Sequence, residues 1–285
     1  MPKSLAQTFS DNAYSLKFFS ILIVFTGHFL LVDKWDIVFS DKAWVIVTYA
    51  LIFFSFTSGY FTSMRYGVVV DIKKFWKNKF YRIGIEYTFL NIFLLCLFLI
   101  QGKENIFSIS SLISWLGLKG FLNWFNISSQ SPFGAGLWFL TLLLLFYILY
   151  PIIAYFCRSS YGGVIFAFTC ISLMLYFDAT INVNHMLWVT ASGFVLGVFF
   201  NSRNIFWSFK MCLVVIIVEL VCISGAFFLN YNIRTSYIIL ATSIPIICMF
   251  FLFKIPDYFR NAVRHVSSTV LGIYILHNYT YIFFN

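Results

Sequence analysis

Residues 17–29 read KFFSILIVFTGHF: a lysine, ten mostly apolar residues, then a histidine inside a run greasy enough to enter a bilayer. An imidazole in hydrocarbon costs free energy unless something satisfies it, so its position is a functional hypothesis by default. The eleven-residue step is close to three whole helical turns, which puts Lys17 and His28 on one face, roughly 16 Å apart along the axis. One helix therefore offers a cation at one membrane face and a titratable nitrogen far along the same track.

The same character extends over the chain. Of 285 residues, 61% are hydrophobic, 22% aromatic and 10% charged, with 38 Phe. A soluble domain carries about 25% charged residues, so this chain is solvated mostly by lipid. Nine runs are long enough to span: 15–32, 43–63, 81–100, 136–156, 162–177, 185–200, 208–229, 235–253 and 266–283. They are continuous rather than alternating, which selects an all-α polytopic bundle over a β-barrel. The +9 net charge does not point to nucleic acid, because the basic residues sit between runs. With the N-terminus cytoplasmic, fourteen Lys and Arg fall inside and five outside (Lys34, Lys42, Lys103, Lys119 and Arg234). Reading 106–126 as a tenth span would invert everything after it, so that stretch is expected to be an outer loop with an interfacial helix. The six cysteines lie in or at the ends of apolar runs with no C-x-x-C, so neither a disulfide framework nor a metal site is indicated. Residues 1–14 are polar and lack the pattern of a cleaved leader. Without an internal repeat or a soluble insert, residues 1–285 read as a single membrane domain.

Residues 65–82, RYGVVVDIKKFWKNKFYR, form the most basic inner segment. Lys79 and Arg82 are at i, i+3 spacing and become neighbours in a helix, where two cations can clamp phosphates. The competing reading is a topology signal attracted to anionic lipid. Glu86, one turn after Arg82, is expected to pair with it. Glu219 lies mid-span with no charged neighbour in sequence; protonation, a partner on another helix and a polar cavity all remain open. His185 and His265 fall at run ends, whereas His277 is again inside a span.

Five stretches, in order, resemble the integral membrane acyltransferase family 3. SLKFFSILIVFTGHF is similar to its first helix, with Lys17 and His28. FFSFTSGYF (53–61) resembles the second-helix signature with Ser58 and Gly59. KFYRI (79–83) resembles the cytoplasmic R-x-x-R motif, with Lys79 in first place. LWFLTLLLLFYILYP (137–151) and LGIYILHNY (271–279) resemble the fourth helix and the late Y-L-x-H helix. The chain departs from relatives at Leu143, where many carry glutamate, and it lacks the family's usual last span, so the expectation is a shortened, nine-span member.

The resemblance implies transfer of an acyl group, commonly acetyl, from cytoplasmic acetyl-CoA to a hydroxyl of a bacterial surface polysaccharide or its lipid-linked precursor, in the cytoplasmic (inner) membrane. It implies donor binding near Lys17, Lys77, Lys79 and Arg82 and chemistry at His28 with His277. Acceptor contacts would come from Trp138, Ser58 and Tyr274, with no metal. Other readings are a transporter or flippase of an anionic or glycan substrate, and a non-catalytic membrane partner. Neither the acceptor's identity nor the oligomeric state is encoded in these motifs.

Overall fold

The computed structural model describes residues 5–32, 43–69, 71–134, 136–181, 183, 186–205, 208–229, 233–253 and 255–284. Among them are twelve helices and no strand. Six helical stretches are long and apolar enough to cross a membrane: Trp44–Tyr66, Ile72–Ile100, Trp138–Arg158, Ser160–Thr180, Phe209–Ala226 and Thr235–Leu252. The other three expected runs also form helices, α1 (Leu5–Val32), α8 (Leu187–Arg203) and α12 (Val270–Phe284). His185, Lys34 and Lys42, considered above, lie outside the described residues, as do Lys3 and Lys254, two of the fourteen cations counted as inner.

α1 begins ten residues before the apolar run expected at 15–32. Its early turns bury Phe9, Asn12, Ala13 and Leu16, one face at helical spacing. Phe9 stacks on Phe251 with ring centres 3.9 Å apart. Asn12 donates from Nδ2 to the carbonyls of Phe250, at 2.7 Å, and Phe253, at 2.5 Å. It thereby satisfies carbonyls at the end of α10 (Thr235–Leu252) that the helix leaves over. Arg260, on α11 (Asp257–Ser268), reaches Asp11 at 3.3 Å and Asp257 at 3.0 Å.

The most extensive helix pair is α8 with α2 (Ala43–Tyr66). Almost every residue of α8 from Leu187 to Phe200 is buried, so it is a central post surrounded by protein. Small residues allow the close approach. A Cβ on Gly197 would lie 2.1 Å from the Phe56 carbonyl oxygen, and one on Gly59 would lie 2.3 Å from that of Phe194. The glycine of the second-helix motif is thus a packing requirement. α6 (Trp138–Arg158) closes a third side, stacking Phe146 on Phe194 at 4.3 Å. α7 (Ser160–Thr180) and α9 (Phe209–Phe228) are peripheral, with 11% and 6% of their spanning windows buried. α10 continues through Pro245.

The basic segment is helical from Ile72, so Lys73 to Arg82 form the first turns of α3 (Ile72–Ile100) rather than a loop. Asp71 caps it, accepting from the Lys74 N–H at 2.9 Å. The stretch at 106–126 breaks into two short helices, α4 (Ile109–Trp115) and α5 (Lys119–Trp124). Thr141 fastens α5 to α6, accepting from the Gly120 N–H at 2.8 Å and donating to the Gly117 carbonyl at 2.7 Å. Tyr87 donates to the Ser114 carbonyl, and Lys119 donates to Ser129. The segment is a folded cap on one end of the bundle.

Candidate active site

α1 carries Lys17 and His28 on one unbroken helix. At the His28 end, α12 brings His277 against it, with ring centres 4.8 Å apart and planes at 57°. His277 Nδ1 is in hydrogen-bond contact with the Tyr274 carbonyl. A carbonyl only accepts, so the neutral ring carries its proton on Nδ1 and presents Nε2 as an acceptor. His277 is buried and His28 is half-buried.

His28 opens onto a cavity of about 390 Å³, lined by Val24, Trp44, Val47, Trp138, Met186 and Tyr274 among others. That volume suits a small-molecule site, with aromatic walls and few polar groups. Trp44 and Met186 had no place in the sequence reading. Trp44 opens α2 and reads in sequence as an interfacial anchor, and Met186 is brought in by the left-handed turn (φ 52°) that starts α8. Tyr274 contributes its ring to the cavity while its hydroxyl acts as a strut. It donates to the Gly136 carbonyl at 2.7 Å and accepts from the Phe139 N–H at 3.3 Å. Both bonds fix α12 to the start of α6, where Trp138 sits. Tyr274→Phe keeps the ring and removes the strut; turnover is expected to fall about tenfold with donor affinity unchanged, measured by initial rates and equilibrium binding.

The Lys17 end holds a second cluster. Lys79 Nζ donates to Thr62 Oγ1 at 2.9 Å and sits over three rings: Tyr147 at 4.3 Å, Tyr66 at 5.2 Å and Phe75 at 5.9 Å. Such a cage holds an ammonium by cation–π attraction. Arg65, Arg82 and Lys17 are all close enough to act on its charge, and Lys17 rests 5.6 Å from the Phe61 ring. Arg82 is exposed, and no ion pair joins it to Glu86 among the described residues. The expected pairing is therefore absent, which leaves the guanidinium available. Lys77 is exposed, two residues from Lys79 and so on the opposite side of α3. The structure does not gather it with the others.

Ser58 is placed at this end rather than beside the aromatic cavity. Its hydroxyl lies 3.1 Å from that of Tyr147, the residue whose ring carries Lys79. Tyr147 and Thr62 were not singled out in sequence, although Thr62 lies one turn after Ser58 and could have been found that way. Between the two clusters the hydroxyls of Ser20 and Ser55 are buried without a hydrogen-bond partner among the described residues. Glu219, on peripheral α9, likewise has Oε2 buried and unpartnered among them. No group of three or more His, Cys, Asp or Glu among the described residues could hold a metal ion.

A helical bundle with six membrane-length apolar helices and a histidine pair beside a cavity is a multi-pass membrane protein with a candidate reaction centre. The acyltransferase domain family Acyl_transf_3 matches residues 15–285, and the chain belongs to it. It is a membrane acyltransferase. No curated protein and no solved structure matches it.

Proposed function

We propose that the protein transfers an acetyl group from cytoplasmic acetyl-CoA to a hydroxyl of a bacterial surface polysaccharide or its lipid-linked precursor, across the cytoplasmic membrane. One observation carries this reading: a single helix bears a cation cluster at one end and, at the other, a histidine paired with a second histidine over an aromatic cavity. Lys17, Lys79 and Arg82 attract the phosphates of the donor, with Arg82 the exposed member able to bind in bidentate fashion. Lys79, caged and hydrogen-bonded, holds the mouth in shape. The thioester arm runs inward past Ser20 on α1, whose buried hydroxyl suits one of its amides.

At the far end the acceptor hydroxyl meets His28. Trp44, Trp138 and Tyr274 offer flat apolar faces against which a sugar ring packs. His28 takes the hydroxyl proton as the new C–O bond forms and the C–S bond breaks, and the leaving thiolate is protonated in turn. His277, which presents Nε2 as an acceptor, orients the His28 ring and stabilises its cationic form.

The test uses sealed membrane vesicles of both orientations with acetyl-labelled CoA supplied outside. Label is expected in the glycan fraction only with inside-out vesicles, whose cytoplasmic face meets the donor. Equal labelling in both orientations would overturn the vectorial reading, and no labelling in either would overturn acetyl transfer to glycan.

A further inference from the structure

A second cavity, of about 320 Å³, lies at the Lys17 end of the bundle and belongs to neither cluster above. The last turns of α2, α6 and α8 form it, with Ser63, Gly67, Arg158, Asn201 and Ser202 in its lining. Asn201 Nδ2 donates to Ser63 Oγ at 2.9 Å, and Ser63 and Ser202 hydroxyls are 3.3 Å apart. Arg203, the next residue along α8, donates to Ser160 at 3.5 Å, two residues beyond Arg158 in the chain.

Helix C-termini repel anions through their exposed carbonyls. Here several of those carbonyls are already engaged. Ser63 accepts from the Gly67 N–H at 2.8 Å, Phe156 from Ser159 at 3.3 Å, Phe200 from Ile205 at 3.0 Å and Asn201 from Asn204 at 3.2 Å. Tyr150 places its hydroxyl 2.5 Å from the Gly67 carbonyl and 3.3 Å from that of Thr62. What remains toward the cavity is a guanidinium with hydroxyl and amide groups, the donor set that recognises a phosphate.

The position narrows the ligand. Thr62, which holds Lys79, and Ser63, which lines this cavity, are consecutive on α2 and so point about 100° apart around its axis. The two sites therefore adjoin on neighbouring flanks of α2, separated by less than one helix diameter of ~10 Å. A ribose bearing one phosphate beside a 5′-diphosphate presents anionic groups at comparable separation. We propose that this cavity receives the 3′-phosphate of CoA, with Arg158 its main ligand and Ser63, Asn201 and Ser202 completing the site, while the Lys17–Lys79–Arg82 mouth holds the diphosphate. This inference rests on the CoA-donor reading and makes the enzyme selective for CoA over thioesters lacking that phosphate.

The experiment measures binding of CoA and of 3′-dephospho-CoA to the full chain in nanodiscs of phosphatidylcholine. Wild type is expected to bind CoA about tenfold more tightly, the scale of one charge-assisted contact. Arg158→Gln is expected to bring CoA down to the level of 3′-dephospho-CoA while leaving the latter unchanged. Ser202→Asp, which sets a carboxylate at the rim, should do the same. Arg82→Gln should weaken both ligands together and keep the difference. Measurable but equal binding of the two ligands by wild type overturns the proposal, as does an Arg158→Gln variant that weakens both alike. Loss of discrimination when phosphatidic acid is added to the nanodiscs would assign the cavity to a lipid phosphate and also overturns it. If wild type binds neither ligand, the donor reading itself fails and this site fails with it.

Discussion

Replacing His28 by alanine is expected to lower the rate of acyl transfer by about 10²–10⁴-fold while CoA affinity stays within about twofold. The cation cluster at the other end of α1 is untouched by the change, roughly 16 Å away along the helix, so ground-state capture of the donor persists. The loss falls on the step in which the acceptor hydroxyl gives up its proton. Single-turnover rates with CoA binding measured in parallel separate the two. A rate within a few-fold of wild type would remove His28 from the chemistry and make His277, whose ring is 4.8 Å away, the group to examine next. A matched fall in donor affinity would instead show that the bundle had been disturbed.

The second large effect concerns the fold. Gly197→Val is expected to destabilise the protein by about 3 kcal/mol or more, at or beyond the usual range for overpacking. The added Cβ alone would sit 2.1 Å from the Phe56 carbonyl oxygen, and backbone cannot step aside as a flexible side chain can. α2 and α8 must separate, which loosens Gly59 against Phe194 and Phe146 against Phe194 at once. Thermal unfolding in detergent, followed by loss of the monodisperse species, reads the effect. Gly225→Val on peripheral α9 is the control, because nothing lies within 4 Å of its added Cβ. Equal midpoints for the two variants would contradict the central role given to α8.

The sequence carried the helical class and the pairing of Lys17 with His28, because both follow from periodicity and from what a bilayer tolerates. It also held three residues that meet at the cavity, His28, Trp138 and Tyr274, and His277 that packs against His28, but only as members of separate motifs. That α12 closes on α1 is a long-range contact with no local signal. Helix starts were misjudged for a definite reason. α1 and α3 each begin with turns in which a single aromatic, Phe9 or Phe75, is buried among polar neighbours, and hydropathy averages such turns away. The resemblance groups Ser58 with the acceptor contacts. Its tie to Tyr147 places it by the cation cluster, and only the packing of α2 on α6 could reveal that. Trp44 and Arg158 look in sequence like an interfacial anchor and a topology signal, roles that do not prevent either from lining a cavity.

The shortness of α8 has a consequence for the reaction path. Its 17 residues rise only about 26 Å, less than the ~30 Å hydrocarbon thickness of a typical bilayer. The two cavities lie over its two ends, one touching Met186 and the other Asn201 and Ser202. The bundle is thus hollowed at both ends of this post, toward a common waist. On the proposed reaction, a donor and an acceptor held in opposite compartments would need to be drawn together over only that waist, a gap that one outstretched thioester arm would bridge without opening either compartment to the other.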